Sequence, residues 1–272
     1  MSPDAASAPR GEPAESPGTV PRTGPIPGGG ETSATAVRRM FGAVAPRYDL
    51  LNHLLSLNID RRWRKRAIDR LLETGNPVGQ YLDACTGTLD LAVELAGRGG
   101  FRGQVLALDF SLPMLERGRR KIRGMPVAIT CGDALTLPAA DATFDGATVG
   151  FGMRNLASLE AGLVELARVL RAGAPLIILE FSTPVRQPLR ALYLFYFRML
   201  LPRIGRAISR HDEAYAYLPA SVLAFPAPDV LATLLGRCGF EHIAWEPLTG
   251  GIAAIHRAQR AAAPGQSTTT SS

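Results

Sequence analysis

From residue 80 onward, short apolar runs alternate with segments whose apolar residues recur every three or four positions. The runs predict strands at 80–85, 104–109, 126–131, 143–150 and 174–181, and the helical spacing predicts helices at 89–97, 111–123 and 158–171. The last helix is the clearest: Leu159, Leu163, Leu166 and Leu170 follow helical spacing, and Ser158 stands where an N-cap belongs. Such alternation implies a parallel sheet with helices on both faces, because parallel neighbours need a crossover connection.

Both ends depart from this pattern. Residues 228–238 read as a helix stopped by Gly239, and 240–247 and 251–257 as two strands joined by Leu248-Thr-Gly-Gly251. That is a hairpin signal, so the parallel sheet is expected to close with an antiparallel pair. At the other end, residues 35–73 read as helical, with a restart at Pro46. Asp60 is expected to cap a helix carrying Trp63, Ala67, Ile68, Leu71 and Leu72 on one face. Between Pro188 and Pro202 large apolar and aromatic side chains crowd together, interrupted by Arg190 and Arg198. Two readings stand for this segment. It is a helix packed on the sheet, or a lid or tunnel for a hydrophobic substrate with its arginines at a lipid surface.

Composition sets the domain limits. Residues 1–34 hold seven Pro, six Gly and seven Ser/Thr, with Val20 and Ile26 as the large aliphatics. Such a segment cannot bury enough apolar surface to offset its ordering entropy, so it is expected to be disordered, as is the tail 261–272. It also lacks the continuous apolar core of a signal peptide. Residues 35–260 then form one α/β domain, with 35–73 as a helical N-terminal lid. Cys85, Cys131 and Cys238 are widely spaced, which argues against a disulfide framework and a zinc site. His53, His211, His242 and His256 show no metal spacing either. The net charge of +6 is partly local, in Arg61-Arg-Trp-Arg-Lys-Arg66 and in the arginines between 186 and 210. Nucleic acid, an anionic membrane surface and a plain solvated face all fit such a run. No apolar run reaches the roughly 18 residues that span a bilayer.

The candidate chemistry sits at the first strand–helix turn. Tyr81-Leu-Asp-Ala-Cys-Thr-Gly-Thr-Leu-Asp90 is a strand ending in an acid, a small-residue turn and a helix start. The second strand, 104–109, ends in Asp109. A first βα turn lets backbone N–H groups approach a ligand, and an acid at the tip of strand two can accept ribose hydroxyls. The G-x-G-x-x-G dinucleotide fingerprint fails here, because Leu89 and Ala92 occupy its later glycine positions. Read as D-x-G-x-G-x-G from Asp83, the glycine positions hold Cys85, Gly87 and Leu89. This is a degenerate form of the turn used by S-adenosylmethionine (SAM) methyltransferases. A βα turn without a ligand remains the plain alternative.

Several blocks, in order, resemble one family, the ubiquinone/menaquinone biosynthesis C-methyltransferases. Tyr48-Asp-Leu-Leu-Asn52 with Ser56 and Trp63 is similar to Y-D-x-M-N…S…H…W, with Leu51 for Met and Asp60 for His. Asp83–Asp90 is similar to D-x-x-x-G-T-G-D, and Phe151-Gly-Met-Arg-Asn155 matches F-G-x-R-N. Arg168–Ser182 resembles R-V-L-K-P-G-G-x-L-x-x-L-E-F-S, with Ala172 and Ala174 departing; Leu201–Gly205, Tyr215–Leu218 and Leu248–Ile252 continue the series. The resemblance covers about residues 36–258.

The resemblance implies a class I SAM-dependent methyltransferase (Rossmann-like) fold and ring-carbon methylation of a polyprenylated quinol. It implies SAM as methyl donor, with no metal and no nucleic acid. Cofactor contacts fall on Asp83, Gly87, Thr88, Asp109, Asp133 and Ala134, and catalytic roles on Arg154, Asn155 and Tyr48. Because isoprenoid substrates live in the bilayer, it also implies a cytoplasmic enzyme peripherally bound to the inner membrane, as a homodimer or within a quinone-biosynthesis complex. The weightiest departure is Leu89, where the family has glycine. Its side chain could crowd the cofactor, strain the turn at positive φ, or point away from the site. Leu89 therefore motivates a rival reading, an inactive SAM-fold scaffold subunit. The failed dinucleotide fingerprint disfavours another, an NAD-dependent oxidoreductase.

Overall fold

A computed structural model describes residues 58–184, 186–196, 199 and 220–262. Tyr48, the extension 1–34, lid residues 35–57, the blocks at 201–205 and 215–218, and tail residues 263–272 lie outside the described residues. Helix α1 (Ile59–Leu72) precedes β1 (Gln80–Ala84), α2 (Asp90–Ala96), β2 (Gln104–Asp109), α3 (Leu112–Gly118) and β3 (Val127–Cys131). Then come β4 (Gly146–Gly150), a 3₁₀ turn (Met153–Asn155), α4 (Leu159–Val169), β5 (Pro175–Phe181) and α5 (Leu189–Phe195). Helix α6 (Pro228–Arg237), β6 (Phe240–Leu248) and β7 (Ala253–Arg260) close the described chain.

The seven strands form one sheet in the order β3-β2-β1-β4-β5-β7-β6. The first five are parallel, and β7 runs antiparallel to both β5 and β6. The expected closing hairpin is therefore present. Its second strand starts two residues later than predicted because Thr249–Gly251 forms a 3₁₀ turn. Successive side chains of β5 bury on opposite faces, which is why that strand reads as an unbroken apolar run. Leu176 and Ile178 join the core under α4 and α6, while Ile177 and Leu179 join the core shared with α1 and α2.

Local chemistry sets most helix boundaries. Ser158 caps α4 as expected, its Oγ accepting the Ala161 N–H at 3.2 Å. The Asp60 expectation is corrected. Asn58 takes the N-cap position in the left-handed region, and Asp60 instead pairs with Arg64 one turn on at 2.8 Å. Helix α3 ends at Gly118, short of the expected 123, and Lys121 beyond it bonds Asp90 at 2.7 Å. Two arginines pin α1 to the sheet edge: Arg66, from the basic run, and Arg70 both donate to Glu246 of β6. Those bonds, first the one from Arg66, hold the Glu246 carboxyl down at about 2. Part of the basic run is thus a structural clasp. Helix α5 buries Tyr193 near Phe181 and Ile252, while residues 197, 198 and 200–202 of the segment lie outside the described residues.

Candidate active site

The β1–α2 turn is built on left-handed backbone. Cys85, Gly87 and Leu89 have φ of 54°, 57° and 72°. Those are the three glycine positions of the degenerate motif, so the turn keeps the glycine conformation although two side chains occupy it. For a non-glycine residue this costs about 1–2 kcal/mol. Leu89 does not crowd the turn's open face. It is fully buried among the core residues of α1 and α2. Gly118 makes the room: a Cβ there would lie 2.7 Å from Leu89 Cγ and 2.6 Å from the Thr88 carbonyl oxygen.

Two acids hold this turn. Asp83, at 1% exposure, accepts from the Thr86 hydroxyl, from Thr148 Oγ1 at 2.7 Å and from the Ala92 N–H at 3.1 Å. It ties the turn to β4 and to α2. Burial pushes its carboxyl up to about 6 in spite of these bonds. Asp109, at the tip of β2, accepts the Gly87 N–H at 2.8 Å and the Ser111 N–H at 2.9 Å. Burial raises its pKa as well, against those two bonds. Asp109 therefore links the turn to the start of α3. Ser111 stands at the N-cap of α3, but its Oγ has no hydrogen-bond partner among the described residues.

Two cavities open beside the turn. The first is an open cleft, about 740 Å³ counting the solvent in its mouth. It is lined by Gly87, Asp109, Asp133, Ala134 and Asn155 among others, so five of the expected site residues come together here. The Asp133 carboxylate accepts the Leu135 N–H at 2.9 Å. The second, smaller cavity is lined by Asp83, Thr88, Asp90 and Arg64, and shares Cys85, Gly87, Gly150 and Phe151 with the first.

Arg154 and Asn155 part ways on the 3₁₀ turn. Asn155 lines the first cavity. Arg154 lies among neither cavity's lining residues; at 6% exposure it forms a buried ion pair, Nη1 to Glu180 Oε1 at 2.7 Å, and also donates to the Phe151 carbonyl. Its guanidinium carbon sits 5.4 Å from the centre of the Phe181 ring. Phe181 stacks against Phe151 at 4.6 Å, and Trp63 of α1 meets both rings at 6.3 Å. Glu180 and Arg64 escaped the sequence reading. A signal existed for Glu180: like Asp109, it is an acid near the carboxyl end of an apolar strand. Arg64 had none that separated it from its charged neighbours. Among the described residues, no cluster of His, Cys, Asp and Glu could hold a metal ion.

A parallel sheet closed by an antiparallel hairpin, a glycine-conformation turn after β1 and an acid at the tip of β2 define a class I SAM-dependent methyltransferase. Solved structures share the fold. A SAM-dependent methyltransferase from Thermotoga maritima superposes with a TM-score of 0.56 at 19% identity, covering 82% of this chain and 99% of that one. The chain belongs to the ubiE/COQ5 methyltransferase family, whose model matches residues 30–260. The ubiquinone/menaquinone biosynthesis C-methyltransferase UbiE of Geobacter sp. (strain M21) is 43% identical over 224 residues, 81% of this chain and 94% of the relative. The demethylmenaquinone methyltransferase of Thermus thermophilus is 46% identical over 223 residues, 81% of this chain and all of the relative.

Proposed function

We propose that this protein methylates a ring carbon of a polyprenylated quinol: demethylmenaquinol, 2-methoxy-6-polyprenyl-benzoquinol, or both. The observation that carries the reading is the Phe151–Asn155 turn, which puts Asn155 on the cofactor cleft and Arg154 in the aromatic cluster beside it. The named activities of the relatives support the substrate class.

The cleft suits SAM, whose sulfonium supplies an electrophilic methyl group. The Asp109 oxygens each keep a lone pair after their backbone bonds, and these would accept the ribose hydroxyls. Asp133 and the Ala134 N–H would bracket the adenine, and Gly87 and Thr88 would approach along the turn. Asp83 has its oxygens taken by Thr86, Thr148 and Ala92, so we assign it to positioning the turn. Leu89 turns into the core, which supports an active enzyme over an inactive scaffold.

Phe151, which lines both cavities and is backed by Trp63 and Phe181, offers a face for a flat quinol. Loss of a phenolic proton would move negative charge onto the ring carbon. That carbon would take the methyl group as the methyl–sulfur bond breaks and S-adenosylhomocysteine leaves. The carbon would then lose its own hydrogen as a proton, restoring the aromatic ring. The protein must align the two, exclude water and hold the phenolate. Arg154 is the proposed partner of that oxygen, with Asn155 orienting the ring and Tyr48 completing the site from the lid. Glu180 holds the guanidinium in place and offsets part of its charge.

We also place the protein at the cytoplasmic surface of the inner membrane, where the isoprenoid tail lies. Helix α5 and the residue Met199 beyond it support this: Leu192 and Phe195 of the helix are 65% and 59% exposed and Met199 is 44% exposed, and Arg186 and Arg190 are exposed too. An apolar stripe flanked by cations suits an anionic bilayer surface. No helix among the described residues is long and apolar enough to cross a membrane.

The test is methyl transfer from labelled SAM to short-chain forms of both quinols. A labelled C-methyl product from at least one supports the reading, and no transfer to either overturns it.

A further inference from the structure

Arg64 sits on α1, in a run of charges that reads as solvated surface. The fold takes it out of that surface: it is only 8% exposed and lines the second cavity together with the β1–α2 turn. Among the described residues that line the two cavities, it is the one cation. Its Nη1 pairs with Asp60 at 2.8 Å and with Asp90 at 3.2 Å. Both ion pairs use the same nitrogen, and a guanidinium carries five donors in a planar fork. The two carboxylates hold the group in place while leaving it capacity for a further anion.

The two cavities meet along Cys85, Gly87, Gly150 and Phe151. A ligand whose adenosine fills the first, beside Asp109 and Asp133, extends past those residues into the second. For SAM, the part that extends is the amino-acid end, an ammonium and a carboxylate. The second cavity offers the Asp90 carboxylate for the one and the Arg64 fork for the other. A planar, permanently charged fork matches a carboxylate better than an ammonium of the same charge.

We propose that Arg64 binds the α-carboxylate of SAM and of its product, S-adenosylhomocysteine. This inference rests on the methyltransferase reading. It gives α1 a role in cofactor capture, and Trp63, the next residue back, packs against Phe151 and Phe181 on the substrate side. One turn of α1 thereby touches both halves of the reaction.

The test compares two ligands by calorimetry with the full-length protein. S-adenosylhomocysteine has the carboxylate; 5′-methylthioadenosine has the same adenosine and thioether without the amino-acid end. Arg64→Met is expected to weaken S-adenosylhomocysteine by about 10- to 100-fold, the range for a lost hydrogen bond to a charged group. Affinity for 5′-methylthioadenosine should hold within about twofold. Equal losses for both ligands, or no loss for either, would overturn the proposal. Wild-type protein that binds neither ligand would overturn the methyltransferase reading beneath it, a separate and recognisable result. Because Asp60 is buried against Arg64, Arg64→Met can fail to fold. Arg64→Lys then serves: an intermediate loss confined to S-adenosylhomocysteine supports the assignment, and wild-type affinity for it refutes it.

Discussion

Replacing Leu89 separates packing from backbone strain. The side chain is fully buried and Gly118 is shaped around it, so truncation leaves a hole that the backbone on both sides cannot easily close. Truncating a buried leucine typically costs about 2–5 kcal/mol. Against this, Leu89 has φ of 72°, and glycine there recovers about 1–2 kcal/mol of left-handed strain. Taking midpoints, about 3.5 lost and about 1.5 recovered, Leu89→Gly should be about 2 kcal/mol less stable than the native protein. Leu89→Ala loses the packing and keeps the strain, so it should be less stable than the glycine variant by about 1–2 kcal/mol. Inside an ordinary helix the order reverses, with glycine worse than alanine by about 1 kcal/mol. The assay is urea denaturation of the three proteins, with SAM affinity measured alongside. Affinity should change by less than about threefold, because Leu89 is not among the residues lining either cavity. An alanine variant more stable than the glycine variant would refute the left-handed assignment. A glycine variant as stable as native protein would refute the packing.

Arg154→Ala strands Glu180 buried without its ion-pair partner, which typically costs about 3–5 kcal/mol, so its first effect should appear in denaturation. Arg154→Ala with Glu180→Gln should recover most of that stability yet still lose about 10²-fold in single-turnover methyl transfer at saturating SAM; a native rate there would remove Arg154 from the chemistry. His256 is buried between Trp245 and the Pro228 carbonyl, and burial lowers its pKa below 6.5. The unfolded chain then binds the proton more readily, so the His256 contribution is intact above about pH 6.5 and is lost as pH falls below that value. The difference in urea midpoint between native and His256→Gln proteins should shrink from pH 8 to pH 5.5, and a constant difference would refute it. Subtracting the variant removes Asp83 and Asp109, whose raised pKa values give the opposite slope, with stability lost as pH rises from about 4. Leu192→Glu with Phe195→Glu should weaken binding to phosphatidylglycerol vesicles by at least about tenfold, from two large side chains worth about 1.5 kcal/mol or more each; unchanged sedimentation with vesicles would remove α5 from the membrane face.

Much of the fold was legible because it is written in local periodicity. The predicted strands at 80–85, 104–109 and 126–131 match β1 to β3 within one residue, since a buried parallel strand must be an apolar run whatever packs on it. Ser158 was readable as a cap because the bond it makes lies three residues away. Asp60 was misread for a related reason. An acid ahead of an apolar face serves equally as a cap or as the partner of an arginine one turn on, and the left-handed turn at Asn58 decided between them.

By itself the sequence determined the class of fold, the place of the cofactor turn and the acids that flank it. Spacing, strand ends and turn residues act over a few positions, and no distant neighbour can undo them cheaply. Tertiary structure decided where the side chains point and what they meet. Arg154 and Asn155 are consecutive, yet one is buried against Glu180 on β5 while the other lines the cleft. Leu89 registers in the sequence as a departure, but its direction depends on the space left by Gly118, 29 positions further on, and on a backbone angle that composition does not encode. Arg64 looks like any charge in a basic run until α1 folds back on the β1–α2 turn and buries it beside Asp90. In each case the deciding interaction joins groups far apart in the chain, so its energy exists only once the sheet has assembled and brought them within a few ångströms.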